Sequence, residues 1–221
     1  MPDLHAAQMA LRSHALGLAV CTTGAATLGT TADAYTRTSG SFLSDGFAVG
    51  MEVTASGFTP SGNDGAATVT QVTAQRLRVN RAPDAAVAAA SRTIVVELPA
   101  SRAWENVGFD PVDGVPWVEE QFIPGPNFLA TLGPNAEVES RPMYSIRVHV
   151  EEGKGIGAAR RYADALIARF PMREAITTSD GVIIRVRSDT GPFVGQLQRS
   201  QAGFVVVPVT IPLRMRTVNT I

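Results

Sequence analysis

The feature that most constrains this chain is a change of pattern. From about Thr22 to Leu98 helical periodicity disappears and Thr, Ser, Gly and Ala dominate, yet an amphipathic stripe stands on either side. Before the stretch, Leu4, Ala7, Leu11, Ala15 and Leu18 recur at helical spacing, with Asp3 placed as N-cap and Gly17 as stop. After it, Ile156, Ala159, Ala163, Leu166, Ile167 and Phe170 form a second stripe that Pro171 ends. A helix with one apolar face must cover something. The expectation is an α+β fold, with a mostly antiparallel four-stranded sheet covered by two helices, built from residues 1–21 and 99–221. Residues 22–98 are then a small all-β barrel or sandwich inserted into that host.

The host strands are read at Trp117–Ile123, Arg141–Val150, Gly181–Arg187 and Phe204–Leu213. Pro208 and Pro212 predict that the last of them is an edge strand or is bulged. Within the insert, alternation predicts strands at Ala34–Ser39, Glu52–Ser56, Ala67–Thr73, Arg76–Val79 and Thr93–Leu98, with Gly57, Pro60, Gly62, Asn63, Asp64 and Gly65 in turns. The alanine-rich run from Asp84 to Ala90 reads as a loop or a single helical turn.

Composition removes several function classes. No apolar run approaches the roughly 18 residues of a membrane helix, and the N-terminus lacks the basic start of a secretory signal, so synthesis in the cytoplasm is expected. A net charge of −1 argues against a nonspecific nucleic-acid binder. Of the 19 basic residues 18 are arginine, a bias that suits bidentate interface contacts and that a GC-rich genome would also give. Cys21 is alone and His5, His14 and His149 do not cluster, so neither a disulfide nor a metal centre is expected. Gly153-Lys154-Gly155-Ile156-Gly157 lacks the spacing and ending of a P-loop and reads as a turn feeding a helix. The doublets Glu119-Glu120 and Glu151-Glu152 point to opposite faces if on strands, which excludes a carboxylate pair acting on one substrate. His149 has no nucleophile motif beside it. No cofactor, metal or catalytic residue is expected, and an enzyme is the least favoured class.

A set of host residues carries a family resemblance. Leu11-Arg12-Ser13, Trp104-Glu-Asn-Val-Gly-Phe-Asp-Pro111, Pro116-Trp117, Phe122-Ile-Pro124, Ile146-Arg-Val-His-Val150 with its glycine turn, the helix to Phe170 and the strand from Val205 to Pro212 follow one another in order. In that order they resemble the tail terminator proteins of long-tailed bacteriophages and phage-like particles, over residues 1–21 and 99–221. The resemblance implies a virion structural protein of the tail and neck region, made in the host cytoplasm. Such a subunit closes into a ring, a hexamer, at the head-proximal end of the tail. There it ends tail-tube polymerisation and joins the tail to head-completion or connector proteins, while genomic DNA passes through the lumen without specific recognition. Phe42-Leu-Ser-Asp-Gly-Phe-Ala-Val-Gly-Met51 and Val53-Thr-Ala-Ser-Gly57 look like a β module that recurs in phage virion proteins, expected on the outside of the ring, where it does not crowd a lumen.

Neighbouring subunits are expected to meet through opposite charges: Arg160, Arg161 and Arg169 on the second helix, against Glu119, Glu151 and Glu152, with Lys154 in the glycine turn also facing a partner. Two other readings stand beside the terminator. One is a head–tail connector or tail-tube protein; a tube protein would stack without limit where a terminator stops at one ring. The other makes the β module a surface- or carbohydrate-binding domain, although its aromatics are Tyr35, Phe42, Phe47 and Phe58, with no tryptophan to stack on a sugar.

Overall fold

The computed structural model describes residues 3–81, 83, 86–105, 107–132, 136–200 and 203–218. Asp84 and Ala85 of the expected loop and Asn106 of the Trp104–Pro111 run lie outside the described residues. Helix α1 (Leu4–Ala15) opens on Asp3, whose side chain accepts a hydrogen bond from the His5 N–H at 2.9 Å, and buries Ala7, Leu11 and Ala15. Seven strands follow: β1 (Ala19–Thr22), β2 (Ala26–Thr31), β3 (Ala34–Arg37), β4 (Glu52–Ser56), β5 (Gly65–Val72), β6 (Arg76–Val79) and β7 (Val87–Glu97). They pair in the order β7-β2-β3-β6-β5-β4 and β4 returns to β7, so six antiparallel strands close a barrel, with β1 continuing the line of β2 along the end of β7. Leu28, Tyr35, Val53, Val69, Leu77 and Ile94 are fully or almost fully buried there. The Tyr35 hydroxyl finds an acceptor in the Asn63 carbonyl at 2.7 Å. Residues 87–90, read as loop or turn, are the start of β7 instead. Ala88, Ala89 and Ala90 are exposed beside β2, so no alternation of apolar and polar side chains marks this part of the strand.

The second sheet is built around β17 (Phe204–Val218), fifteen residues long. Along one side it pairs with β11 (Glu137–Ser140) and β12 (Met143–Glu151), and along the other with β14 (Ile183–Val186), β15 (Phe193–Val194) and β16 (Gln198–Arg199). Outward from β11 and β12 lie β10 (Asn127–Leu129) and β9 (Trp117–Ile123), and then β8 (Arg102–Trp104), parallel to β9. On the far side β13 (Ala175–Thr177) pairs with β14.

This corrects the expected fold class. The protein is mostly β, 45% strand against 14% helix, with a closed six-stranded barrel and a ten-stranded second sheet, not a four-stranded α+β sheet covered by two helices. The extra strands are two to four residues long and too short to show a period. They form because β17, β11 and β9 present backbone donors and acceptors that must be met. The expectation for the last strand also changes: β17 is flanked on both sides. Its prolines are tolerated because the Pro208 and Pro212 carbonyls face Gly195 and Arg187, at 2.8 and 2.9 Å, on the interrupted side. A residue's N–H points to the same side as its carbonyl in an antiparallel ladder, so the missing donors face the broken edge and not β12.

Helix α2 (Gly157–Arg169) lies between the two β structures. It packs on β12 and β17, and its Tyr162 is fully buried, with the hydroxyl accepting from the Glu52 N–H at 3.3 Å. Gly50 sits so close to Val150 and Lys154 that an added Cβ would approach them to 3.1 and 3.2 Å. Arg169 Nε donates to the His14 carbonyl at 2.9 Å, tying the ends of the two helices.

Candidate assembly surfaces

The sheet has one face packed by α2 and one that no helix covers. On β12, Tyr144, Ile146, Val148 and Val150 turn toward the helix side and are fully buried. Met143, Ser145, Arg147 and His149 alternate to the other face, beside Trp117, Glu119, Gln121 and Ile123 of β9, to which they are paired in register. That face is polar in the middle and aromatic at one end. Arg147 donates to both oxygens of Glu119 at 3.1 and 3.2 Å. Trp117 stacks on His149 with ring centroids 3.5 Å apart, and Phe109 and Phe204 complete the cluster.

Neither ring nitrogen of His149 has a hydrogen-bond partner among the described residues, and the Glu119 carboxylate lies 3.5 Å from Nε2. Burial lowers its pKa to about 4 against the opposing pull of Glu119, so the ring is neutral in the fold. A base whose pKa falls on folding takes up its proton in the unfolded chain first. Stability is therefore complete above about pH 6.5 and declines as pH drops toward 4, by an amount on the order of 2 kcal/mol after screening is allowed for. Urea unfolding at pH 7 and pH 5 should show the decline in the wild type and not in His149→Phe, which keeps the stack on Trp117. An equal decline in both would assign it to other groups.

On the helix-facing side a buried ionic cluster braces the margin of the sheet. Glu120, 1% exposed, accepts from Arg102 and from the Tyr144 hydroxyl, and the Arg12 guanidinium of α1 lies over the Trp104 ring. Burial and the Glu120 charge push the Tyr144 hydroxyl well above its ordinary pKa. The Arg12 and Trp104 runs that carried the resemblance are thus in contact.

The two lateral edges are apolar. At one, Phe128 and Leu129 of the edge strand β10 are 44% and 60% exposed, and Leu132 beyond them is 90% exposed. At the other, Phe193, Val194 and Leu197 are each 43–45% exposed along β15 and the approach to β16. The Arg141 guanidinium lies over the Phe128 ring at 4.7 Å, and the apolar surface left exposed at the two edges invites pairing with another chain.

The residues expected at subunit contacts are scattered over these surfaces. Glu119 is engaged with Arg147, Glu152 lies 3.4 Å from Arg199, Glu151 lies 3.9 Å from Lys154, and Arg169 is tied to His14. Arg160 and Arg161 stand exposed on α2 with no ion pair among the described residues. The glycine turn uses the left-handed backbone at Gly153 and Gly155, φ 86° and 82°. Cys21 is buried at the barrel end beside α2, its thiol pushed up to about 12 by desolvation, which makes it a packed hydrophobe and not a nucleophile. Among the described residues no group of His, Cys, Asp and Glu is placed to hold a metal, and no helix is long and apolar enough to cross a membrane. Sequence reasoning missed both edges, although Phe128, Leu129 and Leu132 stand together without a partner period, a signal of exposed apolar surface.

Comparison with known proteins gives one family. A family described as phage tail terminator protein matches residues 82–213, more than half of the chain, from the barrel strand β7 to β17. No curated protein matches. One solved structure is similar at 23% identity and a TM-score of 0.42, covering 54% of this chain and 79% of its own.

Proposed function

The chain belongs to the phage tail terminator protein family, a family of structural and non-enzymatic proteins of the virion tail, and from that premise we propose that it closes into a ring, a hexamer, at the head-proximal end of the tail of a long-tailed phage or phage-like particle. There it ends polymerisation of the tail tube and receives the head-completion or connector protein, with the genome passing through the lumen. The observation that carries the reading beyond the family is the pair of apolar edges. Phe128, Leu129 and Leu132 stand at one margin of the sheet, and Phe193, Val194 and Leu197 at the other. Two different edges on one subunit make head-to-tail contacts, and such contacts close into rings when the rotation allows. The barrel packs against α2, and we place it on the outer wall of the ring, since it would crowd a lumen.

Of the charged residues assigned to neighbour contacts, Arg160 and Arg161 are exposed and have no ion pair among the described residues. Glu119, Glu151, Glu152, Lys154 and Arg169 would have to exchange internal partners for external ones, which lowers what each contributes. The reading is tested by mixing the purified chain with polymerising tail-tube subunits: shortened tubes with blunt, capped ends are expected, with weaker capping by the Arg160→Glu, Arg161→Glu double variant. Tubes of unchanged length would contradict the terminator role, and a tube-forming chain would favour the tube-protein alternative.

A further inference from the structure

Arg185 of β14 and Arg214 of β17 are direct register partners across an antiparallel ladder, so their side chains leave the same face as nearest neighbours. Like charges placed opposite each other destabilise a sheet. Neither arginine has an ion-pair partner among the described residues. Arg216, two residues further along the same face, is already held by Glu137 at 3.6 Å and Glu139 at 3.1 Å. These three arginines, with Val182 and Ile183, line a groove of about 470 Å³. One carboxylate, Asp180, also lines it and accepts from the Thr178 hydroxyl, so the groove keeps an excess of positive charge.

The complementary surface is on the same chain. The loop after β8 carries Glu105, Asp110 and Asp113, all exposed and without ion pairs among the described residues, and no Lys or Arg stands between Glu105 and Trp117. Val107 and Val112 beside them are 60% and 67% exposed. The loop is held in place: the Val107 N–H bonds the Trp104 carbonyl at 3.2 Å, and the Phe109 ring packs on Trp117 at 4.8 Å. It leaves the β8 margin of the sheet, near the β17 start, whereas the arginines stand on the opposite side of the sheet, inside β13 and near the other end of β17. One molecule cannot bring the two together; two copies related by a rotation can.

We propose that the groove between β14 and β17 receives the carboxylates of the 105–113 loop of a second copy of this chain. The proposal rests on the ring reading above and names a contact within that ring. The arginine pair is the cost an isolated subunit bears for a contact that only the assembly satisfies, and Val107 and Val112 meet Val182 and Ile183 around the charges.

The test uses charge reversal on the full chain, read by sedimentation velocity and negative-stain microscopy. Arg185→Glu with Arg214→Glu, or Asp110→Lys with Asp113→Lys, should each weaken self-association by at least about tenfold. An equimolar mixture of the two should recover it, because each then offers the sign the other needs. The single Arg185→Glu variant converts a like pair into an opposite one, so its melting temperature should rise by about 1–3 °C even as assembly weakens, which separates lost contact from lost fold. Rings that persist unchanged in both reversed variants leave the ring reading standing and overturn this contact. A mixture that fails to recover also overturns it. So does duplex DNA binding to the wild type that Arg185→Glu with Arg214→Glu abolishes while oligomers survive, since the groove would then serve nucleic acid. A wild type that stays monomeric at every concentration overturns both proposals.

Discussion

Replacing Glu120 by alanine is expected to cost about 3–5 kcal/mol of stability, a large fraction of what a domain of this size has to lose. Glu120 is 1% exposed and its partner Arg102 keeps only 5% of its side chain in solvent, with the Arg102 Nε lacking a hydrogen-bond partner among the described residues. Removing the carboxylate strands a buried guanidinium and takes the acceptor from the Tyr144 hydroxyl. The pair itself is not a large net gain, because taking two charges out of water offsets most of their attraction. The double variant Glu120→Leu, Arg102→Met should therefore recover most of the loss. Urea unfolding with an unchanged m-value would measure both. A loss under about 1 kcal/mol for Glu120→Ala would mean that solvent reaches the cluster and that it does not brace β8. The consequence reaches assembly: β8 leads directly into the 105–113 loop, so a loosened margin should also weaken self-association.

Tyr162→Ala is expected to cost about 3–5 kcal/mol as well, for a different reason. The ring is fully buried between α2 and the barrel, and truncation leaves a cavity in a core where little can collapse. Tyr162→Phe should cost no more than about 1 kcal/mol, because the hydroxyl accepts one long bond from Glu52. The same residue couples the two β structures, so calorimetry should show one transition in the wild type and a barrel transition split from the rest in Tyr162→Ala. One unsplit transition with a loss under 1 kcal/mol would mean that the barrel is held elsewhere.

Strong periodicity was legible and weak periodicity was not. Glu52–Ser56, Arg76–Val79 and Trp117–Ile123 begin and end where alternation places them, and α2 lies within a residue of its apolar stripe, whereas α1 begins on its stripe at Leu4 but ends at Ala15, three residues short of Leu18. Ala26–Thr31 was invisible, because Ala, Thr and Gly have no clear preference for inside or outside; Gly29 is there because a Cβ would come within 2.8 Å of the Val87 carbonyl. The predominance of β was likewise hidden in strands of two to four residues that exist only against β17. For the surfaces the difference lies in pairing. A charge reads as free in sequence, yet Glu119 and Arg169 are engaged within the molecule. The juxtaposition of Arg185 and Arg214 depends on a register across 29 residues of chain that no local pattern encodes.

The central claim, a tail terminator that assembles as a single closed ring, is tested most directly by negative-stain microscopy of the purified full chain across a range of concentrations. The account predicts closed rings one subunit layer thick whose number grows with concentration and whose height does not. Stacks that lengthen without limit, or monomers at every concentration, would contradict it.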